Sequence, residues 1–391
     1  MKQLPYSILL TVLLSTVGIP VLAYDIAMKN EDGIILYYNY LNDGQELEIT
    51  HGEGYYNGSI VIPDKVTYDK KELKVTKIGL YAFSGCVALT SVSIPNSVTK
   101  IEGFAFIDCM NLTSVTIPGS VTDIGSYAFK NCSKLSSVTI SSSVSLFGDE
   151  VFTGCSSLTS VYITDLAAWC NITFREVHSN PMYYASHLYL NGEEIIELHI
   201  PDNVTSIKDY TFYGCSNLIS VTIHDGVTSI GDFAFSKCSN FTSVTIPNSV
   251  KTMGYGVFRG CEGLVKVSIG SGIEEIGLYA FSECPQIKDI YCYAVKCPMT
   301  IGNPFAHLQI DSITLHVPKE SVTLYKNESP WKDFYDIVPL EDDETGIPEV
   351  RQIAEKKGKG GIVYDLSGRR VKNGEVPKGV FIKNGKKFVV K

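Results

Sequence analysis

The sequence lacks the short motifs that mark the common catalytic centres. It contains no His-Glu-x-x-His, no Cys-x-x-Cys, no Gly-x-Ser-x-Gly and no glycine-rich phosphate loop. Cys170, His178 and His187 lie in one region and have the chemistry of a metal or nucleophile site, but their spacing matches no such motif. Packed or exposed polar residues are the favoured interpretation. We therefore predict a protein that is not an enzyme, with no catalytic site, no metal site and no cofactor.

Clustered positive charge is missing from most of the chain. The net charge is −9, yet residues 351–391 hold 12 basic and 3 acidic side chains, a net +9, which leaves −18 on the rest. An acidic body does not suit nucleic acid, because nucleic-acid binding needs clustered Lys and Arg. The basic C-terminal stretch is interpreted as solvated charge on a small module, with a polyanion partner as the alternative.

Long apolar runs are missing beyond the N-terminus. Residues 8–17 form an apolar run that is preceded by Lys2 and followed by Val21-Leu22-Ala23. This layout predicts a secretory signal peptide over residues 1–23. The run is too short for a comfortable membrane span, and no later segment reaches the roughly 20 apolar residues that a span needs. We therefore predict a secreted chain with no integral membrane segment.

What the sequence does have is a period of 23 residues. Eight cysteines fall on this grid, each with Phe three residues before it and an apolar residue three after it: Cys86, Cys109, Cys132, Cys155, Cys215, Cys238, Cys261 and Cys284. A fixed period between about 20 and 50 residues predicts a solenoid, in which each coil buries its apolar face against its neighbours. Val-x-Ile before Pro predicts a strand in each coil, and Ala-Phe-x-x-Cys has room for a single turn. The fold class is therefore mainly β, a solenoid of stacked 23-residue coils.

The grid cysteines are predicted to be free. Stacked coils place equivalent side chains about 4.8 Å apart with parallel Cβ directions. A disulfide instead needs Cβ atoms at about 3.8 Å and a twist near a right angle. We therefore expect a column of buried thiols. Cys292 and Cys297 lie off the grid and are close enough in sequence to pair, a question that the sequence leaves open.

The other segments divide by their departure from the repeat. The interval from Cys155 to Cys215 is 60 residues, so one coil is enlarged, and Asn191-Gly192 within it predicts a hairpin. The predicted organisation is a signal peptide (1–23), an N-terminal β cap (24–74), the solenoid (75–290) with its enlarged repeat (164–200), a C-terminal cap (291–340), a linker (341–360) and a small β module (361–391).

The repeat unit resembles a known family. Residues 112–118 read Leu-Thr-Ser-Val-Thr-Ile-Pro and residues 121–129 read Val-Thr-Asp-Ile-Gly-Ser-Tyr-Ala-Phe, a pattern similar to the BspA-type leucine-rich repeat. The resemblance covers about residues 32–340 and includes the enlarged repeat. It implies a leucine-rich-repeat solenoid. Members of that family are secreted or cell-surface proteins of bacteria and some protists, and several are regarded as adhesins, so the resemblance also implies a secreted or outer-surface location and a protein partner.

The C-terminal module resembles a second family. Residues 363–371 (Val-Tyr-Asp-Leu-Ser-Gly-Arg-Arg-Val), 378–382 and 385–387 are similar to the type IX secretion sorting tail of Bacteroidetes. This resemblance implies export across the outer membrane.

One candidate binding face follows from the repeat. Beside each inward Val and Ile, outward hydroxyl-bearing residues recur: Ser91, Ser93, Ser114, Thr116, Ser137, Thr139, Ser160, Tyr162, Ser220, Thr222, Ser243 and Thr245. Structurally, such residues form cross-strand hydroxyl ladders. Functionally, they make an extended, weakly charged surface for protein or glycan. The predicted function is an adhesin-like protein that engages host matrix proteins or other bacterial surface proteins through this face.

Aromatic residues supply the alternative, a glycan-binding surface module. The candidate site in the enlarged repeat consists of Trp169, Tyr183, Tyr184 and His187. A second set forms a stripe at repeat spacing: Tyr81, Phe104, Tyr127, Tyr210, Phe233 and Tyr279. Aromatic stripes stack sugars in some proteins, but at repeat spacing packing between coils is the favoured interpretation.

Overall fold

The computed structural model describes residues 24–340 and the backbone of four strands between residues 363 and 390. These residues belong to two compact units. The N-terminal unit comprises residues 24–168 and 172–185, and the C-terminal unit comprises residues 169–171 and those from 186 onward. The predicted signal peptide and linker lie outside the described residues, as do the side chains of the predicted β module.

The N-terminal unit starts as an antiparallel meander and continues as a parallel stack. Its strands are β1 (Ile26–Lys29), β2 (Ile35–Leu41), β3 (Glu46–Thr50), β4 (Gly58–Val61), β5 (Lys65–Tyr68), β6 (Lys71–Ile78), β7 (Leu89–Ser93), β8 (Lys100–Ile101), β9 (Ser114–Ile117), β10 (Asp123–Ile124), β11 (Ser137–Ile140), β12 (Leu146–Phe147), β13 (Ser160–Ile163) and β14 (Thr173–Phe174). β1, β2 and β3 pair antiparallel in that order, β3 runs parallel to β6, and β5 pairs antiparallel with β6.

Successive coils of this unit are in register at the 23-residue period. β9, β11 and β13 pair parallel, so Val115, Val138 and Val161 lie side by side. On a second side of the coil, the short strands β6, β8, β10, β12 and β14 pair parallel in the same way. β4 is already parallel to β7, so coil-type pairing starts ahead of residue 75.

The C-terminal unit repeats this design. Its strands are β15 (His187–Leu190), β16 (Glu193–Glu194), β17 (Glu197–His199), β18 (Ser206–Ile207), β19 (Ser220–Thr222), β20 (Ser229–Ile230), β21 (Ser243–Ile246), β22 (Thr252–Met253), β23 (Lys266–Ile269), β24 (Glu275–Ile276), β25 (Asp289–Cys292), β26 (Met299–Thr300), β27 (Thr314–Val317) and β28 (Asp336–Pro339). β17 pairs with β19; β21, β23, β25, β27 and β28 form one parallel sheet, and the even-numbered strands β18 to β26 form another.

Two further elements of this unit are antiparallel. β15 and β16 form the predicted hairpin, and Asn191 and Gly192 at its turn have φ of 52° and 86°, as a type I′ turn requires. In the predicted β module, the strands are β29 (Val363–Asp365), β30 (Arg370–Val371), β31 (Gly379–Lys383) and β32 (Lys386–Val390). They pair antiparallel in the order β30-β29-β31-β32.

Helical segments are short. The described residues contain two α-helices, α1 (Leu166–Cys170) and α2 (Val322–Tyr325). Neither has the length and apolar character that crossing a bilayer requires. Single 3₁₀ turns lie at Asn42–Gly44, Val177–Ser179, Pro181–Tyr183, Ile310–Ser312, Lys319–Ser321 and Trp331–Asp333.

The third side of each coil is the turn that carries Phe-x-x-Cys, and its phenylalanines stack through the core. The rings of Phe83, Phe106 and Phe129 have centroid separations of 4.9 and 5.2 Å and lie within 4° of parallel. In the C-terminal unit, Phe212 and Phe235 stack at 5.4 Å. Each stacked ring is fully buried, so one column of aromatic rings fills the centre of each unit.

The grid cysteines form the predicted column beside the phenylalanines. All eight are buried and free, which confirms the prediction. Cys132 Sγ donates a hydrogen bond of 3.2 Å to the Phe106 carbonyl of the preceding coil. The same bond is made by Cys109, Cys155, Cys238, Cys261 and Cys284. Burial raises the pKa of the Cys155 thiol to about 12, so the thiol keeps the proton that it donates.

Cys292 and Cys297 are also free thiols. The Cys292 sulfur lies 3.3 Å from the Tyr325 hydroxyl oxygen, which in turn donates to the Ala294 carbonyl at 2.9 Å. Tyr325 thus holds the loop that follows β25. Trp331 packs edge-on against Tyr325 and Phe305 at 5.2 and 5.1 Å, which closes the core at the predicted C-terminal cap.

Two positions of every coil adopt left-handed backbone, a feature that the sequence did not reveal. They are the residue before each grid cysteine and the residue five before it. In one coil these are Asn131 (φ 61°) and Tyr127 (φ 62°), and all eight coils have positive φ at both positions. The position before the cysteine is Gly, Asn or Asp in six coils, residues that tolerate this region best. The other position is mostly aromatic, where the same backbone costs about 1 kcal/mol.

Gly125 lies just before the turn that carries Phe129 and Cys132, and its role is steric. Its φ is not positive, but a Cβ there would lie 2.3 Å from the Gly103 nitrogen of the preceding coil. The glycine is therefore required for close contact between coils.

Thiol accessibility tests the cysteine column. We expect the eight grid cysteines to resist alkylation in the native protein, because each is buried. Burial also raises the pKa of the Cys86 and Cys155 thiols, which keeps them protonated. After denaturation without reductant, all 11 cysteines should react. Mass spectrometry of alkylated peptides measures both states. Fewer than 11 modified cysteines in the denatured, unreduced chain would show that disulfides exist.

Candidate functional site

The hydroxyl-bearing residues of the N-terminal unit form one face of its parallel strands. We call this set, Ser91, Ser93, Ser114, Thr116, Ser137, Thr139, Ser160 and Tyr162, the hydroxyl face. In the pairing of β9, β11 and β13, Ser137 lies beside Ser114 and Ser160, and Thr139 beside Thr116 and Tyr162. All eight side chains are partly or fully exposed, and none is charged.

The four hydroxyls of β9 and β11 on this face are not used to hold the coils together. Within the described residues, no hydrogen bond joins the side chains of Ser114, Thr116, Ser137 and Thr139 to any protein group. At the edges of the face, Ser91 donates to Ser59 at 2.8 Å, and the Ser160 hydroxyl lies 3.4 Å from that of Thr159. The hydroxyls of Ser114, Thr116, Ser137 and Thr139 therefore face solvent, at the spacing of neighbouring strands, about 4.8 Å.

The hydroxyl ladder lies one residue earlier than the sequence suggested. Thr113 Oγ1 donates to the Thr90 carbonyl at 3.3 Å, Ser136 to Thr113 at 3.0 Å and Thr159 to Ser136 at 3.3 Å. A second ladder runs from Ser145 through Thr122 and Thr99 to Thr76 on the short-strand side. The recurrence of Thr or Ser every 23 residues at these positions was the available signal.

In the C-terminal unit, the equivalent face carries both hydroxyl-bearing and charged residues. Ser220, Thr222, Ser243 and Thr245 are exposed, as predicted for a face residue. Beyond them, Ser243 pairs with Lys266, and Lys266 with Asp289. The ammonium of Lys266 lies 3.9 Å from the centroid of the Tyr291 ring, which stacks on His316 at 4.1 Å. The uncharged surface is therefore a property of the first strands of this unit.

The aromatic stripe packs between coils. Tyr81, Phe104 and Tyr127 stack at centroid distances of 4.8 and 4.7 Å, and Tyr210 and Phe233 at 5.6 Å with ring planes 9° apart. These are the left-handed positions of each coil. Ring stacking therefore offsets the backbone strain there and confirms the packing interpretation.

The enlarged repeat uses its aromatic side chains mainly for packing. Trp169 is 1% exposed, and its indole nitrogen donates to the Thr211 carbonyl at 3.0 Å within the C-terminal unit. Its ring therefore offers no open surface for a sugar to stack on. In the N-terminal unit, Tyr183 and Tyr184 are half-buried and contact each other edge to face at 4.8 Å.

Side chains of the enlarged repeat replace the carbonyl acceptors that a regular next coil would offer. At the left-handed positions of earlier coils, the backbone N–H donates to a carbonyl 22 residues on, as Tyr127 does to Asp149 at 2.8 Å. Glu150 has no such carbonyl and donates instead to the Glu176 carboxylate at 2.7 Å. Likewise, the Gly154 N–H donates to the Tyr184 hydroxyl at 3.3 Å. The Glu176 carboxylate and the Tyr184 hydroxyl therefore both have structural roles as hydrogen-bond acceptors.

The sequence comparison agrees with this geometry. The profile described as "BspA type Leucine rich repeat region" matches in six copies over residues 60–179 and 185–297. The chain belongs to the BspA-type leucine-rich repeat family. A search of curated proteins gives no match.

Several solved structures are similar to this chain. A leucine rich cell surface protein from Faecalibacterium prausnitzii is 23% identical over 69% of this chain and 95% of its own, with a TM-score of 0.29. A leucine-rich repeat protein from Bacteroides ovatus is 23% identical, with coverage of 68% and 94% and a TM-score of 0.25. The pneumococcal vaccine antigen PcpA is 16% identical, with coverage of 81% and 98% and a TM-score of 0.36.

Two histidines of the enlarged repeat, His178 and His187, each pair with a carboxylate. His178 Nδ1 lies 2.9 Å from Glu176 Oε2 in the N-terminal unit, and His187 Nδ1 lies 2.7 Å from Glu194 Oε1 in the C-terminal unit. Asn217 donates to the same Glu194 oxygen at 2.9 Å. Cys170 is fully buried. Among the described residues, no group of three His, Cys, Asp or Glu side chains is arranged to hold a metal ion.

The Glu176 carboxylate is the acceptor that ends the regular coils of the N-terminal unit. Burial raises its pKa, but hydrogen bonds outweigh burial, so the net pKa is lowered. The donors are the backbone N–H groups of His178 and Glu150 and the side chains of His178 and Ser179. The ionised form is therefore stabilised in the folded state.

This carboxylate predicts a pH-dependent contribution to stability. We expect Glu176→Gln to lower the free energy of unfolding at neutral pH, because the amide is a weaker acceptor for these donors. The unfolded pKa of Glu is about 4.3 and the folded pKa is lower. The stabilisation is therefore complete above the unfolded value and is lost as pH falls through the folded value. Urea unfolding of wild type and variant at neutral pH and at about pH 3 should show a difference that shrinks in acid.

The control is Glu31→Gln, which removes an exposed carboxylate from the same unit and should change stability at neither pH. A Glu176→Gln difference of the same size at both pH values would contradict the role given to the carboxylate.

Proposed function

We propose that the protein is an adhesin-like binding protein, secreted or displayed on the outer cell surface, that engages host or bacterial proteins through the hydroxyl face. The observation that carries this proposal is the set of aligned, exposed and unpaired hydroxyls on β9 and β11. A serine or threonine that stabilises the stack of coils donates its hydroxyl to a carbonyl of the neighbouring coil, as Thr113 and Ser136 do. Ser114, Thr116, Ser137 and Thr139 do not.

The chemistry of the face favours a protein partner. Each hydroxyl both donates and accepts, so a row of them matches the alternating N–H and C=O groups of an extended polypeptide. The absence of charge from the face avoids the desolvation cost that charged groups meet in an interface core. Protein binding is also the role that the family resemblance implies. No catalytic step is part of this proposal.

A glycan-binding role for the enlarged repeat has weaker support. Trp169 is buried, and Tyr184 accepts the Gly154 N–H as part of the fold. Of the four residues assigned to that alternative, Tyr183 and His187 remain as half-exposed candidates, and they belong to different units.

Charge insertion tests the hydroxyl face. The double variant Thr116→Lys and Thr139→Lys places two ammonium groups on adjacent strands of the face. We expect it to abolish saturable binding to immobilised matrix proteins, because each buried unpaired charge costs several kcal/mol in an interface. Surface plasmon resonance against a panel of fibronectin, laminin and collagen measures the binding.

The matched control is Asn96→Lys with Ser142→Lys, which adds the same charge at exposed turn positions outside the face. The control should bind like wild type. Equal loss in both double variants would point to net charge, and retained binding in the face variant would refute the proposal. Circular dichroism confirms that each variant is folded.

Surface display has its own test. The predicted signal peptide and the resemblance of residues 361–391 to a sorting tail support export to the outer surface. Deleting residues 361–391 should leave the solenoid folded but remove it from the set of proteins that added protease cleaves on intact cells. Unchanged surface cleavage of the truncated chain would contradict a role for this segment in sorting.

A further inference from the structure

A cleft in the N-terminal unit lies apart from the hydroxyl face. It has a volume of about 370 Å³ and is lined by Tyr40, Asp43, Gly44, Tyr68, Asp69, Lys71 and Leu73. This volume falls within the range of small-molecule sites, about 300 to 1,000 Å³. Its residues lie outside the repeat positions, so the packing rules of the coils do not account for them.

The strand order builds this cleft from two turns. β3 and β6 run parallel as neighbours, so their N-terminal ends lie at the same edge. The turn from β2 into β3 therefore lies beside the turn from β5 into β6. Both turns are left-handed: Asp43 has φ 55° and Gly44 82°, and Asp69 has φ 46°. Such turns are conformationally restricted, so the cleft is largely preformed.

The strand before each turn contributes a partly exposed tyrosine near its end. Tyr40 and Tyr68 are each 40% exposed. They lie close enough that Tyr68 contributes to raising the pKa of the Tyr40 phenol, after the larger effect of burial. Leu73, whose exposed fraction is 4%, adds a buried apolar side chain to the lining.

The polar side-chain groups of the cleft have no partners among the described residues. No hydrogen bond or ion pair with any described residue engages the side chains of Asp43, Asp69 and Lys71, nor the hydroxyls of Tyr40 and Tyr68. By contrast, the side-chain amide of the neighbouring Asn42 donates a hydrogen bond to the Glu46 carboxylate at 2.7 Å. The cleft thus combines two aromatic faces, two carboxylate acceptors and one ammonium donor that are available to a ligand.

We propose that this cleft binds a neutral sugar. One face of a pyranose ring carries C–H groups, which pack on the aromatic rings of Tyr40 and Tyr68. Its hydroxyls donate to the carboxylates of Asp43 and Asp69 and accept from the Lys71 ammonium. The lining carries Asp43 and Asp69 against Lys71, a net charge of −1, so it does not favour an anionic ligand.

Ligand binding to the full chain tests this site. The probes are trisaccharides of glucose, mannose, galactose and N-acetylglucosamine, with trilysine as a cationic comparison. We expect saturation-transfer NMR to show contact with at least one trisaccharide at concentrations up to the order of 10 mM. Transfer to none of them, or transfer to trilysine alone, would overturn the proposal.

Variants locate the binding. Tyr68→Ala should weaken it about tenfold by removing one stacking face, whereas Tyr68→Phe keeps the ring and should bind nearly as wild type. Asp43→Asn keeps the shape and the left-handed turn but loses the charge, and should weaken binding about fivefold.

The control variant is Tyr335→Ala, which removes a 73% exposed tyrosine from the C-terminal unit and should have no effect. Unchanged affinity in both Tyr68→Ala and Asp43→Asn would place the sugar elsewhere and refute the site. This test is independent of the hydroxyl face, because none of its variants lies on the repeat strands.

Discussion

Each residue of a coil lies beside the residue 23 positions away, and this self-contact governs the structure of both units. Parallel pairing at a fixed register brings phenylalanine against phenylalanine, thiol against carbonyl, and hydroxyl against carbonyl. A side chain must therefore suit its own copy as a neighbour. Flat rings, small thiols and hydroxyls satisfy this condition, because they stack in parallel or donate along the coil axis without repulsion.

Charged residues are less well suited to lie beside a copy of themselves, because like charges repel. Asp209 and Asp232 occupy equivalent positions in adjacent coils, and burial together with the Asp232 charge raises the pKa of Asp209. The Asp232 backbone N–H compensates by donating to the Asp209 carboxylate at 2.7 Å. Elsewhere, opposite charges sit near one another in neighbouring coils, as Lys130 and Glu150 do at 2.7 Å. The absence of charged residues from β9, β11 and β13 is thus one way of meeting the stacking condition.

The period of the sequence was enough to predict the solenoid, the buried thiols and the stacked aromatic stripe, because each depends on translation by one coil. Features that depend on backbone detail were not predictable in this way. The left-handed positions were not predicted, because tyrosine and lysine, as at Tyr127 and Lys237, do not usually indicate positive φ. The hydroxyl ladder was placed one residue late, since Thr113 and Ser114 look alike in sequence and differ only in the direction of their side chains. Trp169 was assigned to a candidate surface because burial within an irregular repeat has no periodic signal.

The paired left-handed positions also bear on how such a chain evolves. A coil duplicated or deleted as a whole brings both positions, its glycine and its cysteine back into register with its new neighbours, so every contact is restored at once. A change in length of one or two residues within a coil displaces all of these columns together. Copy number can therefore vary by recombination between repeats, while the length of the individual coil is held constant. The enlarged repeat shows what an exception requires: Glu176 and Tyr184 must supply, from side chains, the acceptors that a copied coil would have provided from its backbone.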